Sequence, residues 1–223
     1  GPIFANMVLA DEINRAPAKV QSALLEAMQE KQVSIGNESF SLDKTFLVMA
    51  TQNPVDQEGT YALPEAQLDR FMFKVEVDYP SVDDEIRVIK SVTSGELPQV
   101  QKILNPDIIN GIRADIEKIF VDDKIFSYIT HLVDCTRNPQ NYELSSLKSL
   151  IDHGASPRAG INLVKASKVR AMLNGRDYVV PDDIKILSSN IFRHRIALSY
   201  ESEAREISVN EVIHEILTKV PIP

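Results

Sequence analysis

Met7-Val8-Leu9-Ala10-Asp11-Glu12-Ile13-Asn14-Arg15-Ala16-Pro17 carries an apolar run straight into two acids and a polar turn. A short continuous apolar run suits a strand covered on both faces, as in a parallel α/β sheet, where ligands gather beyond the carboxyl ends of the strands. Asp11 and Glu12 stand at such an end. Successive strand residues point to opposite faces, so the two carboxylates are predicted to aim differently, one able to hold a metal ion and the other to orient a water. A solvated turn with two acids is the commoner meaning of a bare Asp-Glu pair. The residues around it have to decide.

Pro17 fits the first turn of a helix, and Val20, Ala23, Leu24, Ala27 and Met28 recur at helical spacing, which predicts an amphipathic helix to about Lys31. Val33 and Ile35 alternate before Gly36-Asn37, and Phe40 and Leu42 alternate after it, the pattern of a β-hairpin. Phe46-Leu47-Val48-Met49-Ala50 reads as a second buried strand ending in Thr51-Gln52-Asn53-Pro54. Asn53 at that carboxyl end can hydrogen-bond a phosphate or an attacking water. Pro64 opens a short helix, 65–70, after which Phe71, Phe73, Val75 and Val77 alternate as a third strand.

These blocks closely resemble the MoxR branch of the AAA+ ATPases. The matching stretches are Leu9 to Pro17, Ala50 to Pro54, Glu58-Gly59-Thr60-Tyr61, Leu63 to Phe71, and Ala155-Ser156-Pro157-Arg158-Ala159. The resemblance implies that Asp11 and Glu12 are the Walker B pair, Asp11 for Mg²⁺ and Glu12 for activating water. It implies sensor 1 at Asn53, the arginine finger at Arg70 and sensor 2 at Arg158, leaving open whether sensor 2 serves its own subunit or a neighbour. The implied function is ATP hydrolysis at the interfaces of a homo-oligomeric ring, a hexamer. The implied work is chaperone-like remodelling of a protein client or metal-cofactor insertion, often alongside von Willebrand factor A proteins.

No G-x-x-x-x-G-K-[ST] occurs in the chain, so the loop whose amides and lysine cradle phosphates is not in it. In the resembling family that loop precedes Walker B, which predicts the carboxyl-terminal part of a parallel-sheet P-loop core within a longer protein. In that sheet the loop-bearing strand lies between the Asn53 and Phe71 strands. Without it, backbone groups that are costly to bury stay unpaired.

The boundary of this partial core is placed near Tyr79-Pro80, giving 1–79 as core and 80–223 as an all-helical lid bundle. Ser81 can cap a helix bearing Ile86, Ile89 and Val92, and a break follows at 95–98. A helix from Pro106 with Ile108, Ile112 and Ile116, and one from Asp122 with Ile125, Ile129 and Leu132, both read as core-facing. Pro157 opens a helix ending at Asn174-Gly175, and Pro181 opens another with Ile184, Leu187 and Ile191. Arg158 stands at a helix start, where amides and guanidinium can converge on an anion. Arg193-His194-Arg195 reads as a helix-end charge cluster near the lid surface.

Composition bounds the remaining classes. The net charge of −8 argues against broad phosphate-backbone binding and so against a nucleic-acid motor, the first alternative. A non-hydrolysing interaction module is the second, and suits this chain by itself. No apolar run approaches the roughly 20 residues of a membrane helix. The single cysteine, Cys135, at helical spacing from Leu132, reads as core packing and fits a reducing, cytoplasmic compartment. The four histidines lack metal-ligand spacing, which argues against zinc.

Overall fold

The computed structural model describes residues 1–53, 61–95 and 100–223. Pro54, Glu58-Gly59-Thr60 and most of the 95–98 break lie outside the described residues. The apolar runs become β1 (Met7–Ala10) and β4 (Leu47–Ala50), paired in parallel with Met7 opposite Leu47 and Ala10 opposite Ala50. Both strands therefore end together, which sets Asp11 beside Thr51. Between them run α1 (Ala18–Glu30) and the antiparallel hairpin of β2 (Gln32–Ile35) and β3 (Glu38–Ser41). Gly36 turns that hairpin at φ 63°, a backbone conformation glycine adopts without strain.

Two expectations about this unit are corrected. The strands are not covered on both faces: Met7 and Leu9 on β1, with Leu47 and Met49 on β4, are exposed, and their alternate neighbours are half-buried. A continuous apolar run reports what a strand can bury, and nothing among the described residues lies over that face. On α1 the buried residues are Gln21, Leu25 and Ala27, with Val20 and Ala23 exposed, so the inward stripe is turned from the expected one. Gln21 goes inside because its amide is tied to backbone carbonyls.

The 71–77 segment forms no ladder among the described residues. Beyond α2 (Glu65–Leu68), its one backbone bond to another element is Lys74 N–H to Asn190 O, 2.8 Å, and Val75 and Val77 are exposed. Alternation marks a strand only if a neighbour supplies the other half of the ladder. Here β1 and β4 pair with each other, and the segment's open carbonyls turn to side chains instead.

The bundle follows its caps. Ser81, Asn105, Asp122 and Ser156 accept from backbone amides at the starts of α3 (Val82–Thr93), α4 (Pro106–Glu117), α5 (Asp123–Arg137) and α6 (Pro157–Leu173). The core is built by α5, α6, α7 (Pro181–Phe192) and α9 (Val209–Lys219), with Leu132, Leu163, Ile184 and Ile191 fully buried. Cys135 lies in it, and burial pushes its thiol up to about 12. The expectation that α4 faces a core does not hold: it has no buried residue, and Ile108 and Ile112 are exposed. Periodicity defines an apolar face without saying what covers it. The bundle also carries a strand pair that pattern reading missed, β5 (Ile151–His153) against β6 (Ala197–Leu198), followed by α8 (Tyr200–Ala204). No described helix is long and apolar enough to cross a membrane.

Gly154 shows how tightly β5 sits on α5. A Cβ there would stand 2.5 Å from Thr136 O, a backbone atom that cannot swing aside. Gly154→Ala is expected to destabilise the bundle by about 1–3 kcal/mol through overpacking. Thermal unfolding checks it, and an unshifted midpoint would mean the β5 turn yields freely.

Candidate functional site

At the carboxyl ends of β1 and β4 the chain turns sharply. Glu12 takes a left-handed backbone, φ 46° and ψ 53°, which a non-glycine residue adopts only when its surroundings hold it there, at a cost on the order of 1–3 kcal/mol. Thr51 supplies the hold. Its hydroxyl donates to Asp11 Oδ1 at 2.5 Å and accepts from the Glu12 amide at 2.8 Å, while Thr51 O accepts from Ile13 N–H at 3.0 Å. Asp11 and Glu12 thus diverge because of this turn, where strand alternation was the expected cause.

Glu12 is held from two sides. Asn53 Nδ2 donates to Glu12 Oε1 at 3.2 Å and Arg15 Nε pairs with Oε2 at 2.9 Å, while Asn14 Nδ2 donates to Asn53 O at 3.1 Å. Gln21 locks this turn to the first turn of α1 by donating to the carbonyls of Ile13 and Ala16 at 3.2 and 3.1 Å, and to Tyr61 O at 3.1 Å. Carboxylates are acceptors only and suit a hard cation. Among the described residues no three metal-ligating side chains converge, so Asp11 and Glu12 offer a cation a partial shell that ligand oxygens must complete.

A second cluster forms around Asp69 and Arg70, and Arg70 joins it to the other end of α1. Arg70 Nη1 donates to Gln29 Oε1 in the last turn of that helix, 2.6 Å. Next to it, Asp69 collects Ser156 Oγ at 3.0 and 2.9 Å, Arg158 Nη1 at 2.9 Å and Arg195 Nε at 2.9 Å. Eleven helical steps separate Ala18 from Gln29, about 16 Å at 1.5 Å per residue. Of the sequence-predicted residues, Asp11, Glu12 and Asn53 are therefore brought together at one end of α1 and Arg70 stands at the other, while Arg158 is held by Asp69, the residue before Arg70.

The expected surface cluster at 193–195 is corrected by the same geometry. The Arg195 side chain is 0% exposed, and Arg193 pairs with Glu76 at 2.8 Å with 10% exposure. Arg195 donates to the carbonyls of Asp69 (3.0 Å), Met72 (3.3 Å), Phe71 and Ile191, and His194 Nε2 lies 3.1 Å from Phe71 O. These donors satisfy carbonyls that the unladdered segment leaves open, which is why the cluster is inside. Burial raises the cost of the Asp69 charge, but hydrogen bonds from Arg158, Ser156 and Arg195 outweigh it and hold the carboxyl below its ordinary value.

Comparison with known proteins identifies the family. Residues 1–73 match the ATPase family associated with various cellular activities (AAA), and residues 145–216 match the AAA lid domain. Chaperone MoxR1 of Mycobacterium tuberculosis is 45% identical across 100% of this chain, and the uncharacterized protein YeaC of Bacillus subtilis is 41% identical across 100%. A crystal structure of a candidate ATPase from Cytophaga hutchinsonii superposes with a TM-score of 0.96 at 51% identity, covering 100% of this chain and 68% of that one. The chain belongs to the MoxR-type AAA+ ATPases. It spans 59% of the length of MoxR1 and 67% of YeaC.

Within this MoxR-type chain, sequence reasoning missed Thr51, Gln21, Asp69, Ser156 and Arg195 as organisers of the two clusters. Thr51, Asp69 and Ser156 lie inside the matching blocks, within two positions of residues singled out. Gln21 was detectable as a polar residue on an otherwise apolar helical stripe. Arg195 offered no local signal for this role, because all of its acceptors except Ile191 O lie more than 120 residues earlier in the chain.

His194 makes the junction sensitive to acid. Burial, then the adjacent Arg195 charge and Lys74, pull its imidazole down to about 4 against the opposing pull of Phe71 O and Asp69. It is neutral at pH 7, and its Nε2 must carry the proton given to Phe71 O. Because the folded value lies below the ordinary 6.5, the unfolded chain protonates first as pH falls. Stability present above pH 6.5 is therefore expected to be lost between pH 6.5 and about 4. The Asp69 carboxyl, held below 3.8, loses its contribution at lower pH. His194→Gln should flatten the melting midpoint across the upper window. An unchanged slope in that variant would place the sensitivity elsewhere.

Proposed function

We propose that the protein containing this chain is a chaperone-like ATPase that works as a homo-oligomeric ring, a hexamer, and remodels a protein client. The observation that supports this best is the division of the site residues between the two ends of α1. A guanidinium one helix-length away cannot reach a phosphate lying beside Glu12 in its own subunit. Arg70 therefore serves a neighbouring protomer's nucleotide, and Arg158, held by the adjacent Asp69, is assigned to the same nucleotide, which makes a closed ring the natural assembly.

In this reading Asp11 holds Mg²⁺ through the nucleotide, its carboxylate aimed by Thr51. Glu12 orients the attacking water, with Asn53 and Arg15 fixing the carboxylate, and Arg70 and Arg158 meet developing negative charge on the neighbour's phosphates. Mg²⁺-ATP supplies the transferable phosphoryl group and the force for lid movement. The phosphate-cradling loop is not among the residues of this chain. The chain alone is therefore expected to bind ATP weakly and show no turnover, as calorimetry and phosphate release would register. The similarity to a protein named a chaperone supports remodelling as the work done. Metal-cofactor insertion and a von Willebrand factor A partner belong to the same proposal.

In the full-length protein, Glu12→Gln is expected to stop turnover while preserving nucleotide binding, because it keeps shape but removes the carboxylate. Arg70→Ala is expected to leave binding nearly intact and lower turnover by on the order of 10³-fold. Mixing the two variants supplies the decisive assay, since some interfaces then pair an intact Glu12 with an intact Arg70. Recovered activity supports action between subunits. Mixed rings as inactive as either parent, with exchange verified, would sink it.

A further inference from the structure

Asp69 stands where three elements meet, and its partners are arranged in order of burial. Behind it lies Arg195, with no exposed side-chain surface, whose guanidinium takes one carboxylate oxygen of Asp69 and the carbonyls of Asp69, Phe71 and Met72. In front lies Arg158, half-exposed, which the described contacts give one carboxylate partner through Nη1. Beside it, the Ser156 hydroxyl gives its proton to Asp69 and accepts the Arg158 amide at 3.2 Å, capping α6. Pro157 at the first helical position fixes the backbone between them. The Asp69 carboxylate thus sits at the N-terminus of a 17-residue helix, where the positive end of the dipole favours it.

An arginine on a helix end has many rotamers, and a useful phosphate contact needs one of them held. Asp69 is suited to hold Arg158 for two reasons. Arg195 pins both its backbone and its carboxylate, so its own position does not wander. Arg195 also keeps the Asp69 charge paired if Arg158 turns toward an anion, so the transfer leaves no naked carboxylate behind. The guanidinium fork keeps further donors for a phosphate after one has gone to Asp69. Resting on the functional reading above, we propose that Asp69, anchored by the buried Arg195, is the positioning residue that presets Arg158 for the neighbouring subunit's nucleotide. Asp69 touches no phosphate itself. Its effect passes through Arg158.

A double-mutant cycle in the full-length protein tests this, because two residues acting through one contact give non-additive losses. Asp69→Asn keeps the shape and loses the charge. It is expected to leave nucleotide affinity nearly unchanged and lower turnover by on the order of 10²-fold, the scale of a misplaced catalytic group. Introduced into Arg158→Ala, the same change should cost almost nothing further. Losses that multiply would show that Asp69 merely holds structure, and undiminished turnover in folded Asp69→Asn rings would likewise overturn the proposal. If Arg158→Ala alone leaves turnover intact, the functional reading of Arg158 fails, a result separate from multiplying losses. Should Asp69→Asn not fold, Arg195→Lys replaces it in the cycle, and the same non-additive or multiplicative outcome decides.

Discussion

The fork of Arg195 set into the 69–72 backbone is the contact on which the arrangement of this chain depends. A buried guanidinium is costly unless nearly every donor finds an acceptor, and breaking a buried ion pair typically costs about 3–5 kcal/mol. Here most of the acceptors come from a segment that has no sheet neighbour among the described residues to take its carbonyls. The charge solves the segment's problem and the segment solves the charge's. Because Arg195 follows α7 and Asp69 follows α2, this contact also fixes how the helical bundle meets the partial core.

That junction gives α1 its functional meaning. The helix is anchored at its start by Gln21 to the Asp11-Glu12 turn and met at its end by Arg70 through Gln29. Between those two anchors the helix rises about 16 Å from Ala18 to Gln29. Neither cluster is a complete phosphoryl-transfer site by itself. One has acceptors and a strained turn, the other has donors, and the distance between them turns two partial sites into complementary faces. The exposed apolar faces of β1, β4, α3 and α4 belong to the same picture of a chain whose surfaces are not all its own to cover.

Much of this was determined by local sequence. The two short apolar runs, the hairpin around Gly36, the cap at Ser81, the helix starts at Pro106, Asp122 and Pro157, and the helix stop after Leu173 follow from side-chain periodicity and backbone chemistry, which act within a few residues. The candidate site residues were legible as motif blocks, Asp11, Glu12 and Asn53 where strands end, Arg158 where a helix begins and Arg70 where one stops. Family membership was legible for the same reason, since five ordered blocks are hard to reproduce by chance.

Only the tertiary structure decided which face of each element is covered and which distant residues satisfy each other. The 71–77 alternation marks a strand in sequence, yet it forms no ladder among the described residues because pairing needs a second strand. The α4 face is apolar in sequence and exposed in space. Arg193-His194-Arg195 looks like a surface cluster until the open carbonyls of 69–72 arrive beside it. Periodicity is a property of one segment, whereas burial and hydrogen-bond satisfaction are properties of pairs. Sequence therefore named the residues of the candidate site, and the length of α1 with the Arg195 contact decided which of them stand together.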